Sequence, residues 1–187
     1  MKSALMLIDI QNDYFPAGKS ELEGSLEAAG QARRLLEFFR RLGWPTVHIQ
    51  HVSLRPGATF FLPDTDGVKF HESIAPRPGE TVIVKHFPNS FRETGLQEHL
   101  KGAGIERLVI CGMMTHMCVD AGVRAASDLG YPVLLAVDAC ATRALVYGGT
   151  TVPAAQVQAA FLAALKSYGQ VMATEEILSI LEANGTG

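Results

Sequence analysis

The sequence predicts an α/β fold built on a mostly parallel sheet. Short apolar runs alternate along the chain with stretches of helical period, and several of those runs are apolar on consecutive residues. Strands buried on both faces carry this pattern, because helices cover both sides of a parallel sheet. In addition, Asp9, His51, Lys85, Cys118 and Asp138 with Cys140 all fall at or just past the ends of the runs. Ligands bind beyond the carboxyl ends of the strands in open α/β sheets. A site at one edge of the sheet is therefore expected.

The elements follow in order. Ala4 to Ile10 is an apolar run broken only by Asp9, and it reads as a buried strand. Gln11 to Gly18 is the loop that leaves it. Leu26, Ala29, Ala32, Leu35, Leu36, Phe39 and Leu42 mark one face of a helix that Gly43 stops. Thr46 to Val52 alternates as a second strand. Ser53 to Gly79 is a long segment with prolines and glycines scattered through it, and such loops tend to be functional. Thr81 to Val84 is a third strand ending at Lys85, and Leu96, Leu100 and Ala103 support a short helix. Leu108 to Cys111 is a strand, joined by a tight Gly112-to-Met117 connection to a helix with Ala121, Ala125, Ala126 and Leu129 on one face. Val133 to Val137 is a buried strand closed by Asp138. Thr151-Val-Pro153 resembles the start of a helix that continues through Ala155, Ala159, Leu162 and Leu165. Gln170 to Ala173 is an edge strand, Thr174 opens a last helix, and Asn184 to Gly187 is a frayed tail.

Composition narrows the function. At 187 residues the chain is expected to form one domain, residues 1–187, burying about 70% of its unfolded surface. The 48% hydrophobic and 19% charged residues are ordinary for a globular protein. A net charge of −3 without like-charge runs leaves nucleic acid and anionic membranes no electrostatic footprint. No apolar run approaches the roughly 20 residues of a membrane span, and Met1 to Ile10 is too short for a signal peptide. Three cysteines without paired spacing point to a reducing compartment, so a cytoplasmic location is expected.

Cys118 falls at the start of a helix, where unpaired N–H groups and the macrodipole favour a thiolate and a developing oxyanion. The bland reading of such a cysteine is a small buried hydrophobe. Asp9 either caps the first loop or acts chemically, and a carboxylate in an apolar run is costly unless paired. Lys85 is a solvated strand end or part of the site. Cys140 is the rival nucleophile, with no helix start behind it, and Cys111 lies within a strand as a core residue. An acid, a base and a thiol at one sheet edge suit a covalent hydrolase.

Three motifs together carry a family resemblance: Leu7-Ile-Asp-Ile-Gln-Asn-Asp13, Val84-Lys85 before Asn89-Ser-Phe91, and Gly112-Met-Met-Thr-His-Met-Cys118. From Ala4 to about Ala173 the chain resembles the isochorismatase-like cysteine hydrolases, a superfamily that includes nicotinamidases and N-carbamoylsarcosine amidase. The resemblance implies a three-layer α/β/α fold with six parallel strands in the order 3-2-1-4-5-6. It also implies a catalytic triad of Asp9, Lys85 and Cys118, and a cis peptide at Met113–Met114 that turns the Met114 N–H toward the oxyanion beside that of Cys118. Dimers or larger homo-oligomers are common in the family, and Phe60, Phe61, Phe87 and Phe91 in loop segments fit such an interface. Gln50-His-Val-Ser-Leu-Arg55 departs from the metal-binding histidine pattern of nicotinamidases. His51 and His71 are accordingly read as polar loop or pocket residues, with no metal and no cofactor expected. Lys85-His-Phe-Pro-Asn-Ser-Phe91 and Thr151-Val-Pro-Ala154 resemble streptothricin hydrolase.

The implied activity is hydrolysis of a C–N bond in a small amide, carbamoyl or lactam compound through a Cys118 thioester. Asn12 to Phe15, the Ser53–Gly79 loop and the Ala141–Thr151 loop would line the pocket. The alternatives are an isochorismatase-type hydrolase, a binding or scaffold protein with a degenerate site, and a redox sensor using Cys118 and Cys140.

Overall fold

The computed structural model describes residues 1–185. Its strands in chain order are β1 (Ser3–Ile8), β2 (Thr46–His51), β3 (Thr81–Lys85), β4 (Arg107–Met113), β5 (Val133–Ala141), β6 (Leu145–Tyr147), β7 (Thr150–Val152) and β8 (Gln170–Met172). The helices are α1 (Ser25–Leu42), α2 (Leu96–Gly102), α3 (Asp120–Asp128), α4 (Ala154–Leu165) and α5 (Thr174–Gly185). Six strands form one sheet in the order β3-β2-β1-β4-β5-β8, and all neighbours pair parallel. The expected order holds with β8 as the sixth sheet strand.

Every residue of β1 is buried. Leu5 and Leu7 face a core shared with α1 and α5, whereas Ala4, Met6 and Ile8 face one shared with α2, α3 and α4. That two-sided burial is why the run is apolar at consecutive positions. On α1, Ala29, Ala32, Leu35, Leu36 and Phe39 are buried, and burying each of the larger side chains stabilises the fold by about 1.5–3 kcal/mol. Gly43, with φ 65°, ends the helix by donating its N–H back to Phe39 and Arg40 carbonyls.

Three segments differ from expectation. Thr151 and Val152 belong to a strand, not a helix start: β6 and β7 form a separate antiparallel ribbon around Gly148 and Gly149, both at positive φ. Two such glycines suit a tight hairpin, and the β-branched Thr150-Thr-Val152 suits its second arm. Helix α4 then begins at Ala154, with Pro153 preceding it. Second, β5 does not close at Asp138 but runs on to Ala141 through a register shift against β4, which places Cys140 in a strand opposite Gly112. Third, the expected tail at Asn184–Gly187 overlaps the end of α5 at Gly185, and its last two residues lie outside the described residues.

The Ser53–Gly79 segment contains only a short 3-10 turn at Glu72–Ile74, but it is firmly tied down. Asn12 N–H donates to Lys69 O and Asp13 N–H to Gly67 O, each at 3.0 Å. Phe61 N–H donates to Asp13 Oδ2 at 2.6 Å, and His71 N–H to Ile10 O at 3.0 Å. Beyond its far end Glu80 accepts a bidentate pair from Arg40 at 2.6 and 2.7 Å and lies 3.1 Å from buried His48. Phe61 is 1% exposed, and Phe60 and Phe91 pack partly buried against the two cores. Phe61 therefore serves internal packing, whereas Phe60, Phe87 and Phe91 are only half-buried.

Candidate active site

The carboxyl ends of the three strands β1, β2 and β3, with the segment after β4, converge on one buried cluster. Asp9 follows β1 directly, with φ 52°, a left-handed conformation that aspartate tolerates better than most residues. Its N–H donates to Ile49 O at 3.1 Å and its carbonyl accepts from Gln11 N–H at 3.0 Å, so the turn is held on both sides. Lys85 is the last residue of β3 and pairs in register with His51, the last of β2. Asp9 and Lys85 are both 0% exposed, and Lys85 Nζ donates to Asp9 Oδ2 at 2.7 Å. The same ammonium donates to Phe87 O and to His51 Nδ1, each at 3.1 Å. The reading of Lys85 as a solvated strand end is thereby excluded.

Cys118 is 5% exposed and lies in a wide helical turn, Thr115–Val119, that leads from β4 into α3. Thr115 Oγ1 donates to Ala141 O at 3.2 Å, and His116 Nδ1 pairs with the Thr142 hydroxyl, which fastens this turn to the end of β5. The peptide Met113–Met114 is cis. At the end of β4, Gly112 has φ 136°, and a Cβ there would meet Ile8 O at 2.1 Å, so only glycine lets β4 approach β1 just ahead of Asp9. The ligating atoms of Asp9, His51 and Cys118 all lie within 4.8 Å of one another. Asp9 Oδ1 is buried without a hydrogen-bond partner.

Electrostatics at Cys118 differ from the expectation drawn from its helix start. Burial and the Asp9 carboxylate push the thiol above its ordinary value, with Lys85 opposing. The resting pair is thus a neutral thiol beside a carboxylate. Burial alone would lower Lys85, but its neighbours in the site, Asp9 first and then Cys118, together outweigh burial and hold the ammonium raised. Burial lowers the His51 imidazole to about 4, so the ring is neutral near pH 7. Cys140 is pushed up to about 12 by burial, and burial likewise raises Cys111, which is completely buried, well above its ordinary value.

Asp9, His51 and Cys118 make a donor set of the kind that holds a metal. Lys85 already takes Asp9 Oδ2 and His51 Nδ1. A resident cation among these atoms would face a fixed positive charge at hydrogen-bond distance from two of its three donors, and the set does not fit one. His71 lies elsewhere: it stacks on Phe15 with centroids 3.7 Å apart and pairs with Ser73 Oγ at 2.8 Å. Phe15 and His71 line a cleft of about 1050 Å³ between the first loop and the long loop, together with Phe60 and Phe70. Tyr14, in the same first loop, is buried, and its phenol is raised well above the ordinary value, by burial first of all.

Two residues have roles here beyond what the sequence indicates: His51, expected at the site edge as a polar pocket residue, and Gln11, expected only as part of a motif. Gln11 is 0% exposed; its Nε2 donates to His51 O at 2.9 Å and Val68 O at 2.7 Å, and its Oε1 accepts from His51 N–H at 2.8 Å. A glutamine directly after a buried strand is the one signal that hinted at such a clamp.

Comparison with known proteins gives a consistent picture. Residues 3–176 match the family of the isochorismatase domain. The chain is 50% identical over 179 residues to the uncharacterized isochorismatase family protein YddQ of Bacillus subtilis, covering 95% of this chain and 99% of that protein. It is 36% identical over 139 residues to a streptothricin hydrolase of Streptomyces noursei, covering 74% of this chain and 49% of that one. A crystal structure from Oleispira antarctica assigned to the isochorismatase hydrolases superposes with a TM-score of 0.92 at 50% identity, covering 95% of this chain and 96% of that chain.

Proposed function

The chain belongs to the isochorismatase family of hydrolases, and from that premise we propose that it cleaves a C–N bond in a small amide, carbamoyl or lactam compound, with Cys118 as nucleophile. One observation carries this reading: a buried ion pair, Lys85–Asp9, whose second carboxylate oxygen is unpartnered with the Cys118 thiol in reach. A buried pair is costly to maintain and is weak support for stability alone. A base oxygen left free beside a neutral thiol is what a proton transfer requires.

The reaction proceeds as follows. Asp9 Oδ1 takes the Cys118 proton as sulfur bonds to the carbonyl carbon, and Lys85 compensates the negative charge that builds on the site. The backbone N–H groups of Met114 and Cys118 receive the oxyanion, a contribution typically worth 10²–10³-fold in rate per donor. The C–N bond breaks as Asp9 returns its proton to the leaving nitrogen, and the acyl group remains on sulfur. A water then gives one proton to Asp9 and its oxygen to the acyl carbon. The C–S bond breaks, and the proton returns to sulfur. Protons balance over the cycle and no cofactor takes part.

Similarity to a streptothricin hydrolase supports a small-molecule substrate. The test is a screen of primary amides, carbamoyl compounds and lactams for ammonia or amine release, followed by acid quench and peptide mapping. The expected result is turnover with an acyl mass on Cys118. Turnover of isochorismate by wild type and the Cys118→Ala variant alike, with no acyl mass, would defeat the proposal.

A further inference from the structure

We infer that His51 is the positioning residue for Lys85: its neutral imidazole is the third acceptor that holds the ammonium over Asp9 and Cys118, and Gln11 holds His51 in place. This rests on the reading of Cys118 as the nucleophile.

An ammonium has three N–H donors and no acceptor. Lys85 spends them on Asp9 Oδ2 at 2.7 Å, Phe87 O at 3.1 Å and His51 Nδ1 at 3.1 Å. Because the ammonium only donates, Nδ1 presents its lone pair, and the imidazole carries its proton on Nε2. Two acceptors would leave the head group free to rotate about the line joining them, on a flexible four-carbon stem. The third removes that freedom and leaves no buried N–H unpaired.

His51 is itself fixed at backbone and ring. The Gln11 carboxamide brackets its peptide, accepting from His51 N–H at 2.8 Å and donating to His51 O at 2.9 Å. The Phe61 ring lies 5.9 Å from the imidazole, tilted by 36°. A solvated histidine at a strand end would have none of these constraints. The choice of a neutral acceptor is also physically meaningful. A second carboxylate here would satisfy Lys85 equally well, but would place another negative charge beside Cys118 and oppose its ionisation. Imidazole satisfies the donor without adding a second negative charge to the Lys85–Asp9 pair beside the sulfur.

The first test uses the wild-type protein. In ¹⁵N-histidine-labelled protein at pH 7, with the His51 signal assigned by its loss in His51→Asn, the ring is expected as the neutral Nε2–H tautomer. An Nδ1–H tautomer or an imidazolium would overturn the inference. The second test compares His51→Leu, which removes the acceptor, with His51→Asn, whose side-chain oxygen replaces Nδ1. Misplacement of a catalytic group by about 1 Å costs about 10²-fold, so His51→Leu is expected to lower kcat about 10- to 100-fold with KM nearly unchanged. It should also slow iodoacetamide alkylation of Cys118 at pH 7.5 about threefold or more, since the thiolate is the reacting form. His51→Asn should recover most of both. Wild-type behaviour of His51→Leu on both readouts, or equal impairment of the two variants, would refute the role. The labelling and alkylation readouts need no turnover: if they hold while no amide is hydrolysed, the proposed reaction fails and the positioning role stands.

Discussion

Lys85 Nζ lies 2.7 Å from Asp9 Oδ2, and the other oxygen of that carboxylate, Oδ1, is buried with no hydrogen-bond partner. One oxygen of Asp9 therefore anchors the cation and the other is left without a partner in the cluster that also holds Cys118. Burial and Asp9 together hold the Cys118 thiol protonated at rest. In the proposed reaction, attack and proton transfer are accordingly concerted or closely sequential.

Cys118→Ala is expected to abolish turnover, by at least about 10⁴-fold on the scale of lost catalytic nucleophiles, with circular dichroism unchanged. Cys140→Ser should keep most activity, because Cys140 lies in a strand and its thiol is pushed up to about 12. Steady-state rates of the two variants decide the matter, and the reverse pattern would transfer the nucleophile to Cys140.

Lys85→Met should do two separable things. Removing one partner of a buried ion pair typically costs about 3–5 kcal/mol, so the denaturant midpoint should fall. It should also slow acylation more than thioester hydrolysis, as the positive charge that offsets the thiolate is gone. Single-turnover kinetics with an accepted amide separate the two steps.

Gly112→Ala should destabilise the fold by at least about 3 kcal/mol, combining a strained positive φ with a backbone clash. The new Cβ would sit 2.1 Å from Ile8 O, immediately ahead of Asp9. Urea unfolding measures the loss, and an unaffected midpoint would contradict the close approach of β4 and β1.

Stability should fall as the pH drops below about 6.5. Burial lowers His51 to about 4 and also lowers His48, His71 and His116 from the ordinary 6.5. In that window the unfolded chain binds more protons than the folded one, so stability present above 6.5 is lost progressively toward 4. Burial opposes ionisation of Glu80, but Arg40 and the Arg77 N–H prevail and hold it at about 2, against an ordinary 4.5. Its contribution is present above 4.5 and is lost as the pH falls from there toward 2. Thermal melts at closely spaced pH values should show a continuous decline, and a melting temperature constant between pH 7 and 5 would contradict the histidine assignments.

A homodimer or larger assembly is the expected solution state. Of the loop aromatics that fit such an interface, Phe61 is internal and Phe60, Phe87 and Phe91 are half-buried. Val146 and Tyr147 on the β6–β7 ribbon are 71% and 90% exposed, and exposed apolar area of this kind is commonly covered by a partner. Light scattering across a wide concentration range checks this, with a monomer mass throughout as the contrary result.

The sequence by itself determined the strands of the sheet and, to within about two residues, the ends of all of them but β5. Consecutive apolar residues from Ala4 to Ile8 are a local consequence of burial on two faces, so the strand could be read without knowing its neighbours. Asp9, Lys85 and Cys118 could likewise be named from position and motif, since each sits at a strand end or the turn after one. Only the tertiary structure decided what those residues do to one another. Asp9 and Lys85 are 76 positions apart, and Lys85 and His51 are 34 apart, so neither the buried pair nor its third acceptor leaves any trace in local spacing. The helix start predicted a lowered thiol at Cys118, yet desolvation and a carboxylate from another strand outweigh that local field and raise it. Thr151 and Val152 differ for a local reason: Pro153 after them suggests a helix start, while the Gly148-Gly149 turn folds them back onto Val146 and Leu145 as a strand.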